Sequence, residues 1–475
     1  MSDPVVVLGA GPAGLACAHR ILRDSKRTVV VIDKAPVVGG AGASFRWKGH
    51  TLDYGPHAFH TRGDEPELLV RSLFAREPEI LIEGRKRVHV YLNGKRFRYP
   101  LQVREALLKF NPLLSLRIIV EFVITSIFHA LVSIPIDNFE NWGRKRFGGT
   151  LYRMTFGDYT EKVWKMSPAK ISEKFASEKI QGFNFVDLVK RLLRIGGQVT
   201  EPYYQTWIYH RHGSGRIYER LAAEVEAMGG EILLGADIKA IPVEGKRVRC
   251  VSVEHAGAPR RVPCDTLVSS IGLPQVVKLM GDTVPFSVRH AASKLAYTSL
   301  IVAYLEFDVE RVSDDHWFYL LEKDFAFNRV TEQKNLSPDT MEPGKTVLSL
   351  ELTCRLGDEL WGMSDQEVFE LAKRDCRRIH FVPVDRITGF VVKRVPSVYE
   401  IYYKHFDQHV DVILSHLREL DNVVSIGRRG LFLQGDMHQA VEMGLAMGRL
   451  LATDEADPAA LGRFYQRYVR YVDHN

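Results

Sequence analysis

Cysteine is scarce: five in 475 residues, at positions 17, 250, 264, 354 and 376, with no CxxC pair among them. An odd and scattered set argues against a disulfide framework or a thiolate zinc site, and favours a reducing compartment. Excess charge is scarce too, since 64 Lys and Arg against 58 Asp and Glu leave only +6. That excludes an obligate nucleic-acid binder, while an anionic small molecule or an anionic membrane face remain as partners. The chain has no GxSxG elbow, no HExxH and no GxxxxGK[ST], which removes serine hydrolases, zincins and P-loop enzymes. No metal site is expected. No internal repeat, low-complexity stretch or Gly/Ser linker marks a domain boundary. The first apolar run, Pro4 to Leu8, is too short for a secretory signal. The expected location is therefore cytoplasmic, with membrane association left open.

What is present is ordinary for a folded chain, 45% hydrophobic and 26% charged, and the length suits two or three domains. The first forty residues say most. Val5 to Leu8 is an apolar run suited to a strand buried on both faces. Gly9-Ala10-Gly11-Pro12-Ala13-Gly14 follows and opens a helical pattern, and a second apolar run ends at Asp33-Lys34. This is GxGxxG between strand and helix, with an acid 19 positions after the third glycine. Gly9 permits the turn, Gly11 lets a pyrophosphate approach the backbone, and Gly14 allows close helix–strand packing. The helix N-terminus offers an anion site, and Asp33 can accept a ribose hydroxyl.

A second glycine cluster, Gly39-Gly40-Ala41-Gly42, comes soon after Asp33, followed by Tyr54-Gly55-Pro56-His57-Ala58-Phe59-His60-Thr61. Near the other end stand Gly427-Arg428-Arg429-Gly430 and Gly435-Asp436-Met437, ahead of a helix from Gln439 to Ala452. Together these resemble the FAD-dependent amine oxidase and protoporphyrinogen oxidase superfamily, in its UDP-galactopyranose mutase-like branch. The resemblance implies an α/β chain with a Rossmann-type, GR2-like FAD-binding domain. It implies an inserted mixed α+β substrate domain with a helical segment. The FAD domain is expected as 1–90, 206–275 and 420–475, and the substrate domain as 91–205 and 276–419. Ala236 to Ile241 and Asp265 to Ile271 read as later strands of the FAD domain's own sheet. The cofactor would be non-covalent FAD, held by the two glycine clusters, Asp33, Lys34, Gly55, His57, Ile238, Gly427, Arg428, Asp436 and Met437. His57 and His60 would lie near the flavin ring.

In the intervening segments, Gly157-Asp158-Tyr159-Thr160-Glu161-Lys162-Val163-Trp164 is similar to the mutases' Gly-Tyr-Thr-x-Lys-x-Trp. That likeness gives Trp164 a substrate contact. Lys179 stands where mutases carry a mobile arginine, and Arg329, before Asn335-Leu336-Ser337-Pro338, matches a diphosphate-binding arginine. Glu351 is a candidate structural partner for Arg329. Tyr399 matches a substrate tyrosine, whereas Phe432 and Gln434 stand where the family's other tyrosine would be. The implied catalytic set is His57, His60, Arg329 and Tyr399, and the substrate-binding set is Trp164, Lys179, Arg329 and Gln434. Two chemistries follow. The first is an FAD-dependent oxidoreductase in which flavin N5 accepts a hydride from a small-molecule substrate, carbohydrate and lipid-linked compounds included. The alternative is a redox-neutral sugar-nucleotide mutase using reduced FAD. The oligomeric state is left open.

One segment stands apart. Leu113 to Ile134 is strongly apolar, with Arg117, Glu121, Thr125, His129 and Ser133 recurring every fourth residue. That spacing winds a polar stripe around a helix. The expectation is a helix packed in the substrate domain with the polar edge wet, against a membrane-dipping alternative.

Overall fold

The computed structural model describes residues 3–101, 103–132, 135–179, 206–453 and 457–469. The chain forms two compact units, the first made of Met1–Glu83, Trp207–Ala296 and Phe406–Asn475, the second of Gly84–Thr206 and Tyr297–His405.

The first unit is built on a five-stranded parallel sheet. Its order is Glu231–Leu233, Val29–Ile32, Val5–Leu8, Thr266–Ser269 and Val423–Ser425. Val5–Leu8 and Val29–Ile32 are buried throughout, as a sheet covered on both faces requires. Helix Pro12–Asp24 packs against helix Met437–Ala452 so closely that a Cβ on Gly444 would lie 2.2 Å from the Ala13 carbonyl oxygen. Asp237–Ala240, expected in this sheet, instead begins a separate three-stranded antiparallel sheet with Cys250–His255 and Ala258–Pro263. Its residues alternate between exposed and half-buried, whereas a central parallel strand must be apolar on both sides.

The motifs put boundaries near 90, 275 and 419; the compact units divide after 83, 206, 296 and 405. Residues 276–296 lie in the first unit because helix Phe286–Lys294 packs on helix Phe406–Arg418.

The second unit carries a seven-stranded sheet, ordered Ile387–Glu400, Tyr297–Phe307, Thr346–Cys354, Arg329–Glu332, Trp317–Leu320, Val88–Leu92 and Lys95–Arg98. Every residue of Thr346–Cys354 is buried. One face, including Ile301, Leu305, Leu348 and Leu352, packs on Val368, Ala372 and Cys376 of helix Asp365–Arg377. The Val88–Leu92 hairpin turns at Asn93 and Gly94, both with positive φ (50° and 69°), the backbone of a two-residue turn that matches strand twist.

Helix Pro112–Leu131 does not meet the expectation of a core helix. Ser115 and Ile118 are buried, and Glu121, Thr125 and His129 are half-buried, while Leu113, Leu116, Ile119, Val120, Val123, Ile124, Ile127, Phe128 and Leu131 are exposed. Of the described residues of the polar stripe, Glu121, Thr125 and His129 turn toward the unit while Arg117 is exposed, and the apolar face is outermost.

Candidate functional site

The glycine-rich loop is shaped by what surrounds each Cα. A Cβ on Gly9 would meet Ser270 Oγ at 2.4 Å, and one on Gly14 would meet the Gly9 carbonyl oxygen at 1.9 Å. These two close the strand–helix turn. Gly11, the N-cap of helix Pro12–Asp24, has nothing within 4 Å of its Cβ position. It is the member of the loop that leaves room for a ligand, at a helix start whose first N–H groups lack intrahelical partners. Pro12 at the first helical position supplies no N–H, so the donors begin at Ala13.

Asp33 Oδ2 accepts the Ala10 N–H at 2.7 Å, and Oδ1 accepts Ala35 N–H at 2.8 Å. The carboxylate is fixed at the end of its strand and retains acceptor capacity on both oxygens for a ribose hydroxyl. Lys34 beside it is exposed, and Ile238 is half-buried on the neighbouring antiparallel sheet.

The second glycine cluster joins this loop. Gly39 N–H bonds the Ala10 carbonyl at 2.8 Å, and a Cβ on Gly40 would lie 3.4 Å from Gly11 Cα. The C-terminal element arrives beside both. A Cβ on Gly427 would contact Ala13 Cβ at 2.8 Å, and one on Gly42 would strike Tyr218 and come within 2.8 Å of Met437 Sδ. Arg428, in the short helix Gly427–Gly430, is half-buried. Asp436 caps helix Met437–Ala452 in a reciprocal capping box with Gln439.

His57 is half-buried in a turn in which its N–H bonds the Gly55 carbonyl. His60 Nε2 lies 3.9 Å from Asp436 Oδ2, and the buried His438 Nε2 lies 2.8 Å from Asp64 Oδ2. Gln434 is buried in the same unit. Asp53 sits deeper. It accepts from Ser44 Oγ and Tyr209 Oη, both at 2.6 Å, and from the Ser214 N–H, and burial raises its pKa to about 6 despite these bonds. No sequence motif assigns Asp53 a role: it ends the short strand His50–Asp53, and its partners Tyr209 and Ser214 lie 156 and 161 residues away.

The second unit gathers the other candidates around one guanidinium. Arg329 donates from Nε and Nη2 to the two carboxylate oxygens of Glu351, each at 2.8 Å. Its Nη1 is left outside this fork. Tyr159, Tyr319 and Tyr399 surround the pair closely enough to bear on its charge. Burial opposes charge on Arg329, but Glu351 and the phenols outweigh it and hold the proton more firmly than on a free arginine. Burial raises the Tyr159 phenol far above its usual range. Trp164 is buried, edge-on to Phe175 and Tyr399 at ring distances of 5.3 and 6.1 Å. The side chain of Lys179 lies outside the described residues.

Lys162, quoted in the motif without a role, is the buried anchor of this region. Its ammonium donates to the carbonyls of Leu320, Glu322 and Phe327 at 2.6, 2.9 and 3.1 Å, and burial pushes its pKa down to about 7. Tyr159 and Tyr319 were also unassigned, although both sit next to residues the motifs had marked.

The profile of flavin-containing amine oxidoreductases matches residues 12–452. The chain belongs to that family. The family is flavin-containing, and the open Gly11 and the converging glycine loops fit the FAD dinucleotide. A probable UDP-galactopyranose mutase of Klebsiella pneumoniae is 27% identical over 192 residues, 38% of this chain and 46% of that protein. A neurosporene-forming phytoene desaturase of Cereibacter sphaeroides is 46% identical over 55 residues, 12% of this chain and 10% of that one. The alignments thus span less than half the length of these curated relatives. Among solved structures, reduced UDP-galactopyranose mutase superposes with TM-score 0.83 at 18% identity, covering 98% of this chain and 99% of the other. A protoporphyrinogen oxidase-like protein of Exiguobacterium gives 0.71 at 17% identity over 96% and 99%. Putrescine oxidase bound to putrescine gives 0.64 at 15% identity over 96% and 100%. At these identities the superpositions establish the fold.

Proposed function

We propose that this protein is an FAD-dependent oxidoreductase acting on a hydroxylated small molecule that carries no diphosphate. One observation carries the reading: the guanidinium expected to clamp a diphosphate is already neutralised by a buried carboxylate. A diphosphate brings at least two negative charges and is best met by an open arginine fork. Arg329 offers only Nη1, and Glu351 would repel a second anion in its place. Phenols and a neutral ion pair suit hydroxyl groups, which can donate and accept. Bound FAD supplies a two-electron acceptor; the residues supply binding, orientation and proton handling. In this reading Tyr159, Tyr319 and Tyr399 bind substrate hydroxyls, Trp164 holds Tyr399 in place, and Lys162 fixes the loop from Leu320 to Phe327. In the flavin unit, His60, 3.9 Å from Asp436, is the candidate for proton handling at the flavin.

The second reading is a sugar-nucleotide mutase, favoured by the segment Gly157 to Trp164 and by the Klebsiella relative. One experiment separates the two. The enzyme is reduced with dithionite under anaerobic conditions and mixed with UDP-galactopyranose, and the nucleotide sugars are resolved by chromatography. The oxidoreductase reading expects unchanged UDP-galactopyranose and an unchanged reduced-flavin spectrum. Formation of the furanose isomer would overturn it.

A further inference from the structure

We propose that the outward face of helix Pro112–Leu131 docks this protein, in plane, on an anionic lipid surface. Polarity on this helix is inverted. Ser115 Oγ donates to the Leu107 carbonyl at 2.7 Å, and both Glu121 carboxylate oxygens accept from Thr150, from its N–H and its hydroxyl, at 2.7 and 2.8 Å. The helix thus spends Ser115 and Glu121 on the protein. Nine Leu, Ile, Val and Phe residues, each at least 46% exposed, face away from it. They account for half of the eighteen exposed large hydrophobic residues among those described. A contiguous apolar face of this extent exceeds what monomeric proteins ordinarily leave in water.

The helix is also long enough to cross a bilayer, at about 1.5 Å per residue over 20 residues. What argues against crossing is its other side, which packs on helices Val103–Lys109, Phe139–Phe147 and Gly149–Tyr152, the second of which carries Arg144, Lys145 and Arg146. A helix with one side on protein and one side apolar lies in the interface plane.

Charge selects the occupant. Residues 85–147 hold twelve Lys and Arg against four Asp and Glu, a local +8 in a chain whose total is only +6. Arg117, with its side chain 67% exposed, stands on the helix itself, and exposed Arg144 and Lys145 stand on the helix packed beside it. A surface of anionic phospholipid meets both the apolar face and this positive surround. A second copy of the chain would set one +8 segment against another, so the same charge disfavours a dimer through this face.

The test uses the full flavin-loaded protein in co-sedimentation. Vesicles of phosphatidylcholine with about one-third phosphatidylglycerol provide the anionic surface, and pure phosphatidylcholine is the comparison. At least tenfold tighter binding to the anionic vesicles is expected. The double variant Ile124→Glu/Ile127→Glu should lose at least tenfold of that binding while keeping its flavin and its circular dichroism. Arg144→Gln/Lys145→Gln, which removes two exposed positive charges and frees Glu140 from its pair with Arg144, should weaken binding several-fold at low salt and flatten its salt dependence. No sedimentation of the unmodified protein with anionic vesicles would overturn the proposal. So would undiminished binding by the glutamate variant, or its precipitation, which would mean that protein covers this face. A dimer on analytical ultracentrifugation that the glutamate variant dissolves, without vesicle binding, would assign the face to a second copy.

Discussion

Arg329 and Glu351 are directly opposed across two antiparallel strands, and their side chains close a bidentate ion pair on that register. The pairing sets a stability relationship as well as a charge. Removing one partner leaves the other charged and poorly solvated, at a cost of about 3–5 kcal/mol, while replacing both with apolar groups of similar volume is close to neutral. Arg329→Ala should therefore lower the urea midpoint substantially, and Arg329→Met/Glu351→Met should restore most of the loss. Flavin content should stay the same in both. A double variant no more stable than Arg329→Ala would show that the pair is not the source of the effect.

Gly11 and Gly14, three residues apart, should behave differently. Gly11→Val meets open space in the protein, so the chain should fold with an unchanged far-ultraviolet spectrum, yet purify colourless because the branched side chain occupies the approach of the pyrophosphate. Gly14→Ala places a methyl 1.9 Å from a carbonyl oxygen and should leave little soluble protein. The ratio of flavin to protein absorbance, read beside soluble yield, checks both.

Lys162→Met removes three charge-assisted hydrogen bonds and leaves the carbonyls of Leu320, Glu322 and Phe327 without that donor. At roughly 1–3 kcal/mol for each unsatisfied group, a loss of about 3 kcal/mol or more is expected. Limited proteolysis should locate the first new cleavage between Leu320 and Phe327. Cleavage elsewhere would argue against Lys162 as the anchor of this loop.

Asp53 predicts a pH dependence. Its folded pKa, about 6, lies above the ordinary aspartate value, so the protonated form is favoured in the folded state. Stability from this group is fully present below about pH 4 and is lost as pH rises through about 6, on the order of 3 kcal/mol in all. Asp53→Asn stays neutral throughout. Urea midpoints between about pH 4 and 7 should fall for the parent relative to Asp53→Asn, and a constant difference would refute the assignment.

Local geometry made the nucleotide loop legible. The turn at Gly9, the open Gly11, the packing at Gly14 and the acid at Asp33 are all set by short stretches of backbone. The inverted helix was not legible in the same way. A polar residue every fourth position defines a stripe, but periodicity is the same whether that stripe meets water or protein. The Glu121–Thr150 bonds that decide it join residues 29 apart. Lys162 was overlooked because a lysine in a charged turn ordinarily extends into solvent, and its three acceptors lie about 160 residues downstream. Asp237–Ala240 was placed in the wrong sheet because its partner, Cys250–His255, follows a short excursion that hydrophobic pattern alone does not reveal.

The parallel sheet takes its strands from near residues 5, 30, 232, 267 and 424, and helix Pro12–Asp24 rests on helix Met437–Ala452. The glycine loop is thus completed by Gly427 and by the helix that follows it, far downstream in the chain. At about 5–20 residues per second, the ribosome takes roughly 20–90 s to travel between them. During that interval the first helix is in the cell without the partner that Gly444 and Gly448 are shaped to receive. A chain truncated before Met437 should therefore purify without flavin even though Gly9, Gly11, Gly14 and Asp33 are all in place, and flavin absorbance from such a truncation would refute that dependence.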